Sequence, residues 1–341
     1  MPLSQAPDSL HSLSAKLSRR HWMALAATTA SASLLPVGAR AQGGAQAAIK
    51  IVVPFAPGAG TDAVGRLMAQ KLGEILGRHV VVENRTGASG AIGAQYVAQS
   101  APDGNTLLLV AAPFTTVPAA LPQAGYDPLS QFTPVGMIAS GPLLWAVNKE
   151  LPVGNLKELI ALAKRQPGKL NYGSAGAGGI NHLVLEQLKM KSGIFITHIP
   201  YRGIAPATLD MVSGQIEIIT GTIPALAPYV RDGRIKALAV TSAGRSAALP
   251  EVPGMSESGL KGFNVLNYFG LVAPRGTPPE LVLQLNAAIA KAVALPEVKE
   301  RFAKDAIEAA VGTPAQLGSF LERDYQDWKA VVAAQQLKID S

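Results

Sequence analysis

Short apolar, β-branched runs alternate along the chain with segments whose apolar residues recur every three or four positions, the signatures of strands and helices in turn. Ile49–Val53 reads as a strand, and Val64, Leu67, Met68, Lys71, Leu72 and Ile75 after it mark one face of a helix. Val80-Val81-Val82 is a second strand, Gly87-Ala88-Ser89-Gly90 a turn, Ile92, Tyr96 and Val97 a helical face, and Leu107–Val110 a third strand. The middle section repeats the alternation, with helices over 156–165, 181–190 and 206–213 and strands over 170–174, 196–199, 216–220 and 235–240. Tyr268–Ala273 reads as one more strand, separated from the first three by that whole section. In the tail, Thr277-Pro278-Pro279-Glu280 and Thr313-Pro314-Ala315-Gln316 each combine an N-cap, a proline at N1 and an acceptor at N3, which predicts helix starts.

Strands alternating with helices predict sheets covered by helices on their faces. A chain of 341 residues fits two such lobes. The reading is an α/β protein of two lobes, each a mixed sheet flanked by helices, with lobe 1 over 43–143 plus 243–341 and lobe 2 over 144–242. Two crossings, near 143–148 and 240–243, would permit hinge closure over a ligand.

The first 41 residues have another character. Arg19 and Arg20 precede the uncharged run Ala24 to Leu35, and Ala39-Arg40-Ala41 offers small residues at −3 and −1, so the segment reads as a signal peptide cleaved near Ala41 and the protein as periplasmic. Ser18-Arg19-Arg20-His21-Trp22-Met23 fits a twin-arginine signal, and the basic pair alone serves the general secretory route equally. The apolar run is short of the ~20 residues a membrane span needs. Loss of Lys16, Arg19, Arg20, Arg40 and Asp8 reduces the formal charge of +7 to a mild anion bias. Basic residues are dispersed without interleaved aromatics, which argues against nucleic-acid binding. The absence of cysteine excludes disulfides and thiol nucleophiles.

The candidate chemistry sits in two glycine-rich turns. Pro54-Phe55-Ala56-Pro57-Gly58-Ala59-Gly60-Thr61-Asp62 joins a strand to a helix, so the N–H groups of Ala59, Gly60 and Thr61 gather at a helix N-terminus, where an anion is favoured. The same residues are also those of a plain turn, with Thr61 or Asp62 as the cap. A dinucleotide loop is the competitor, because Gly58-x-Gly60-x-x-Ala63 is followed by Glu83 at the end of the next strand. Pro54 and Pro57 lengthen and stiffen the approach to the first glycine, against that fingerprint. The second turn, Gly173-Ser174-Ala175-Gly176-Ala177-Gly178-Gly179, again lies between a strand and a helix. Ligands of open α/β sheets bind beyond the carboxyl ends of the strands, which would set the two turns face to face. His79, His182 and His198 lack metal-ligand spacing, and His182 reads as ordering a helix start. No nucleophile elbow or catalytic acid pair appears. Phe55, Tyr201 and Tyr268 are candidates for an apolar cleft wall or for core.

Taken together these residues resemble the substrate-binding proteins of tripartite tricarboxylate transporters, the Bug family. The resemblance runs from Ile49 to the C-terminus and rests on Ile-Val-Val-Pro-Phe-Ala-Pro-Gly-Ala-Gly-Thr-Asp at 51–62, Val-Glu-Asn-Arg-Thr-Gly-Ala-Ser-Gly at 82–90, Ala-Pro-Asp-Gly at 101–104, Leu-Asn-Tyr-Gly-Ser-Ala-Gly at 170–176, Pro-Tyr-Arg-Gly at 200–203 and Ala-Leu-Ala-Val-Thr-Ser at 237–242. It implies a two-lobed periplasmic-binding-protein type II fold and capture of a small carboxylate without catalysis, cofactor or metal. It also implies a monomer that hands its ligand to a membrane permease of two other subunits. Carried over residue by residue, direct contacts fall to Phe55, Ala59, Gly60 and Thr61, with support from Asp62, Ser174, Ala175, Gly178 and Thr222. The chain departs from the family where Gly221 replaces an aspartate, and at Ile204 and Gly178-Gly179-Ile180-Asn181. The loss of that aspartate leads to the expectation of an aliphatic or aromatic acid without an amino group. The alternatives are an exported dinucleotide-dependent oxidoreductase and a sensor accessory that presents its ligand to a receptor.

Overall fold

The computed structural model describes residues 47–337 apart from 59 and 122, so the signal peptide read over 1–41 lies outside the described residues. Strand β1 (Ile49–Val53) is buried except at Lys50 and pairs in parallel with β2 (Val80–Asn84) and β3 (Thr106–Ala111). Helix α1 (Gly60–Leu76) joins β1 to β2 and buries Val64, Met68 and Leu72 of the predicted stripe against the sheet. Helices α2 (Ala91–Ala98) and α3 (Pro113–Ala120) flank β3 in sequence. Strand β9 (Leu266–Pro274) lies antiparallel between β3 and β4 (Phe132–Asn148).

Strand β4 is shared. It pairs with β9 from Phe132 to Pro142, then from Leu143 onward with β7 (Ile218–Thr222) and β8 (Ile235–Val240), both antiparallel. Beyond β7 come β5 (Asn171–Ser174) and β6 (Thr197–Pro200), with β5 parallel to both neighbours, so the carboxyl ends of β5, β6 and β7 share one edge. Helices α4 (Leu156–Arg165), α5 (Ile180–Ser192), α6 (Ile204–Ser213) and α7 (Ile223–Arg231) connect these strands. The tail adds α8 (Pro279–Ala294), α9 (Pro296–Lys304), the two-residue β10 (Glu308–Ala309) on β4, and α10 (Pro314–Ala334).

The reading from sequence located most strands and helices but missed β4, β10, α3, α7 and α9. In β4 the signal is broken by Pro134, Gly136, Gly141 and Pro142, which the strand absorbs through register irregularities at Pro134/Gly136 and Met137/Ala139. Helix α3 opens on Pro113 and α7 has Pro224 as its second residue, and each carries a further proline, Pro118 and Pro228, so they read as broken segments. The capping box at Thr313 and Gln316 is present as expected. Thr277 instead donates its hydroxyl to Pro274 O at 2.8 Å and leaves α8 without a side-chain cap, because the two prolines that follow it fix the chain direction themselves.

One apolar layer is continuous across both parts of the sheet. Leu108, Phe132 and Tyr268 belong to the same cluster as Trp145 and Tyr172 and as Leu183 and Leu185 of α5. Helix α10 covers this layer with Leu317, Leu321, Trp328 and Val331, and it touches α3, β4 and α5. Each such side chain contributes roughly 1.5–3 kcal/mol by burial. Tyr268, a candidate cleft residue, belongs here: it is fully buried, edge-on to Phe320, with its hydroxyl 3.0 Å from Thr115 Oγ1.

Candidate functional site

The loop from β1 to α1 is shaped by Asp62. Its side chain is 4% exposed, and the carboxylate accepts from Gly58 N at 2.9 Å, Asn84 Nδ2 at 2.8 Å and Arg66 Nε at 2.8 Å. Burial alone would raise the Asp62 pKa; the hydrogen bonds from Arg66, Asn84 and Gly58 outweigh it and hold the carboxyl below its ordinary value. Asn84 also donates to Phe55 O at 3.0 Å, and Gly58 takes φ 82°, which lets the loop double back onto Asp62. Asp62 is thus consumed in building the loop. Phe55 is half-buried, Gly60 exposed and Thr61 half-buried at the first turn of α1; Ala59 lies outside the described residues. Glu83, the acid a dinucleotide loop would need, is tied to Lys50 at 2.7 Å and Arg85 at 2.5 Å.

The second turn rests on a buried cluster. Ser174 Oγ lies 2.7 Å from His198 Nε2, donates to Gly176 O at 3.1 Å and accepts from Gly176 N at 3.2 Å. All three are hydrogen bonds at once only if His198 carries its proton on Nε2. His182 accepts the Gly178 N–H on Nδ1 at 3.1 Å, and its ring stacks on His198 at 4.0 Å and 13°. Beneath them Glu186 Oε1 accepts from Tyr172 Oη at 2.5 Å and Lys189 Nζ at 2.7 Å. His182 therefore orders the start of α5, as its position suggested, through a bond to the turn itself.

Burial, then the Lys189 charge, lowers the His182 pKa to about 4. Burial, then His182, lowers that of His198 to about 3. Both rings are neutral when folded, whereas unfolded histidine protonates near 6.5. Between these values the unfolded chain binds more protons, so stability falls as pH drops from about 6.5 toward 4. Asp324, buried on Thr115 and raised to about 6, opposes the trend below that pH with a single proton against two. The urea midpoint is expected to fall continuously from pH 6.5 to 4; a midpoint that is flat or rising over that range would contradict the assignment of two neutral histidines.

A cavity of 340 Å³ is lined by Gly60 and Val64 of α1, Thr222 through Ala225 at the start of α7, Gly141 and Pro142 of β4, Asn267 and Phe269 of β9, and Asp305 to Ile307. Thr222 is exposed, is the N-cap residue of α7 and makes no capping bond with its side chain. The structure thus brings Gly60 and Thr222 together at two helix N-termini. Ser174, Ala175 and Gly178 do not line this cavity, whose two helix starts are those of α1 and α7. Gly221, next to Thr222, is not among the residues that line the cavity. A Cβ on Gly221 would lie 3.1 Å from Leu226 and 3.4 Å from Ile204, so a side chain there would start out toward α6 and α7. An acid reaches the cavity from elsewhere, as Asp305, which accepts from Arg301 Nε at 2.9 Å. Tyr201 donates to Asp210 at 2.8 Å and does not line the cavity. Asn267, Phe269 and Asp305 were not foreseen; Asn267 immediately precedes the predicted strand at 268, the one cue available.

Residues 64–337 match the family model described as tripartite tricarboxylate transporter family receptor. The protein BugT of Bordetella pertussis is 36% identical over 286 residues, 83% of this chain and 88% of BugT. Among solved structures, R. palustris Rpa4515 with adipate is 34% identical at a TM-score of 0.75, covering 85% of this chain and 98% of that one. The periplasmic binding protein BugD is 34% identical at a TM-score of 0.73, covering 86% and 99%.

Proposed function

This chain belongs to the tripartite tricarboxylate transporter family of receptors, periplasmic binding proteins of two-lobed α/β type II fold that bind small carboxylates and work with a membrane transporter, and from that premise we propose that it captures a small carboxylate without transforming it. The observation that carries the reading is the cavity shared by Gly60 and Thr222. Two helix N-termini meet there, and each offers unpaired N–H groups and the positive end of a dipole to an anion. A volume of 340 Å³ is at the small end of ligand pockets, which suits a short aliphatic or aromatic acid. Val64, Phe269 and Ile307 supply the apolar wall for its carbon skeleton. The relative Rpa4515 holds adipate, which supports an acid of this size.

In this reading Phe55, Ala59, Gly60 and Thr61 contact the ligand, Asp62 holds their loop, Thr222 closes the opposite side, and Ser174, Ala175 and Gly178 form a further wall on closure. The lobes 43–143 plus 243–341 and 144–242 close about the crossing strands, with ligand contacts favouring the closed state. The chain is exported with its signal removed near Ala41, acts as a monomer and delivers to a permease of two subunits. Thermal-shift screening of the mature protein against mono-, di- and tricarboxylates, aromatic acids, aspartate, glutamate and NAD tests it. One or a few acids should raise the melting temperature in proportion to the logarithm of their concentration. Stabilisation by NAD alone, or by no acid, would overturn the proposal.

A further inference from the structure

Behind the Ser174–Gly178 turn lies a cluster of the buried Tyr172, His182, Glu186 and Lys189 with the half-buried His198, which carboxylate capture itself does not require. Its effect on the turn is specific. The Gly176 amide is taken by Ser174 Oγ and the Gly178 amide by His182 Nδ1, while the amides of Ala175, Ala177 and Gly179 meet no acceptor among the described residues. Gly176 and Gly178 take φ of 137° and 77°, conformations that turn successive peptide groups to opposite sides. We infer that His182 is a positioning residue for ligand capture: by drawing the Gly178 amide inward, it presents the amides of Ala175, Ala177 and Gly179 to a carboxylate. This rests on the reading, given above, that the turn belongs to the ligand site.

His182 suits this role because it cannot turn away. It is 3% exposed, its ring is clamped against His198 at 4.0 Å, and His198 is itself bonded to Ser174 in the same turn. The titratable groups around it are Tyr172 from β5, His198 from β6, and Glu186 and Lys189 from its own helix, with Nε2 3.9 Å from Glu186 Oε1. A neutral Nδ1 accepts; a protonated one would set N–H against N–H and release Gly178.

Two variants separate positioning from packing. His182→Phe keeps a ring on His198 but removes the acceptor. His182→Asn removes the ring but keeps an acceptor, since Oδ1 stands as many bonds from the backbone as Nδ1. Amide NMR during titration with acetate, against chloride at constant ionic strength, should move Ala175, Ala177 and Gly179 in the wild type and leave Gly178 in place. In His182→Phe the Gly178 amide should exchange faster and acetate should bind roughly tenfold more weakly, the loss expected when an anion's donors are no longer held in place. His182→Asn should bind nearly as the wild type, though it is less stable. Wild-type affinity in a folded His182→Phe overturns the inference. Absence of acetate shifts in the wild-type turn overturns instead the reading that the turn holds a carboxylate. Should His182→Phe not fold, the wild type decides alone: with His182 protonation followed by its own ring resonances, Gly178 protection must fall more than that of the α5 amides, and Gly178 protection that persists in the protonated state overturns the inference.

Discussion

Replacing Lys189 by methionine should destabilise the protein by roughly 3–5 kcal/mol, the cost of leaving one member of a buried ion pair without the other. Lys189 Nζ is 2.7 Å from Glu186 Oε1, with side chains 9% and 1% exposed. That oxygen also accepts from Tyr172, while Oε2 meets no hydrogen-bond partner among the described residues. With the ammonium gone, the carboxylate keeps one hydrogen bond and no neutralising charge. Adding Glu186→Leu in the same chain should recover most of the loss, because exchanging both members for apolar groups is close to neutral. Urea unfolding of the two variants measures both numbers. A single replacement costing under about 1 kcal/mol would mean that water reaches Glu186, as at an exposed pair.

Gly141→Ala should be the most damaging small substitution at the crossing between the sheets. An added Cβ would lie 2.6 Å from Ala306 O and 3.1 Å from Ile307 Cα, both backbone atoms that cannot rotate away. Segment 306–307 must then lift from β4, straining the β10 pairing at Glu308 and Ala309. Overpacking of this kind costs about 1–3 kcal/mol. Ala306 and Ile307 also line the cavity, so the stabilisation by whichever acid the screen identifies should shrink along with the melting temperature. A variant that melts lower and binds unchanged would separate this contact from the ligand site.

The helices and strands that sequence locates are those whose pattern is local. Helix 156–165 and strand 235–240 agree with the sequence reading to the residue; in the structure Asn155 caps the helix, and no proline or glycine interrupts the strand. The loop at 54–62 was legible for the same reason: glycines, a helix start and a first-turn acid all lie within one turn. What stayed hidden depends on pairing at a distance. Strand β4 carries four breakers and survives only because β9, β7 and β8 hold it. The cavity combines α1 with α7, β9 and the end of α9, and no local pattern joins those residues. The direction of position 221 was available, since alternation in β7 puts 221 opposite Thr222, but that needs the strand extended to Thr222, two residues past its predicted end. The inward Gly178 amide follows from a bond four residues long, yet it becomes visible only when β6 brings His198 against His182.

The shared strand has a mechanical meaning. A single β4 is held by β9 as far as Pro142 and by β7 and β8 from Leu143 onward, so the two grips meet at Pro142-Leu143, one residue beyond Gly141. Pro142 contributes almost no rotation about φ, whereas Gly141 has the widest backbone freedom of any residue. At Gly141 the neighbouring Ala306 carbonyl leaves no room for a side chain, so the residue with the most backbone freedom beside this stiff junction is also one that packing keeps bare.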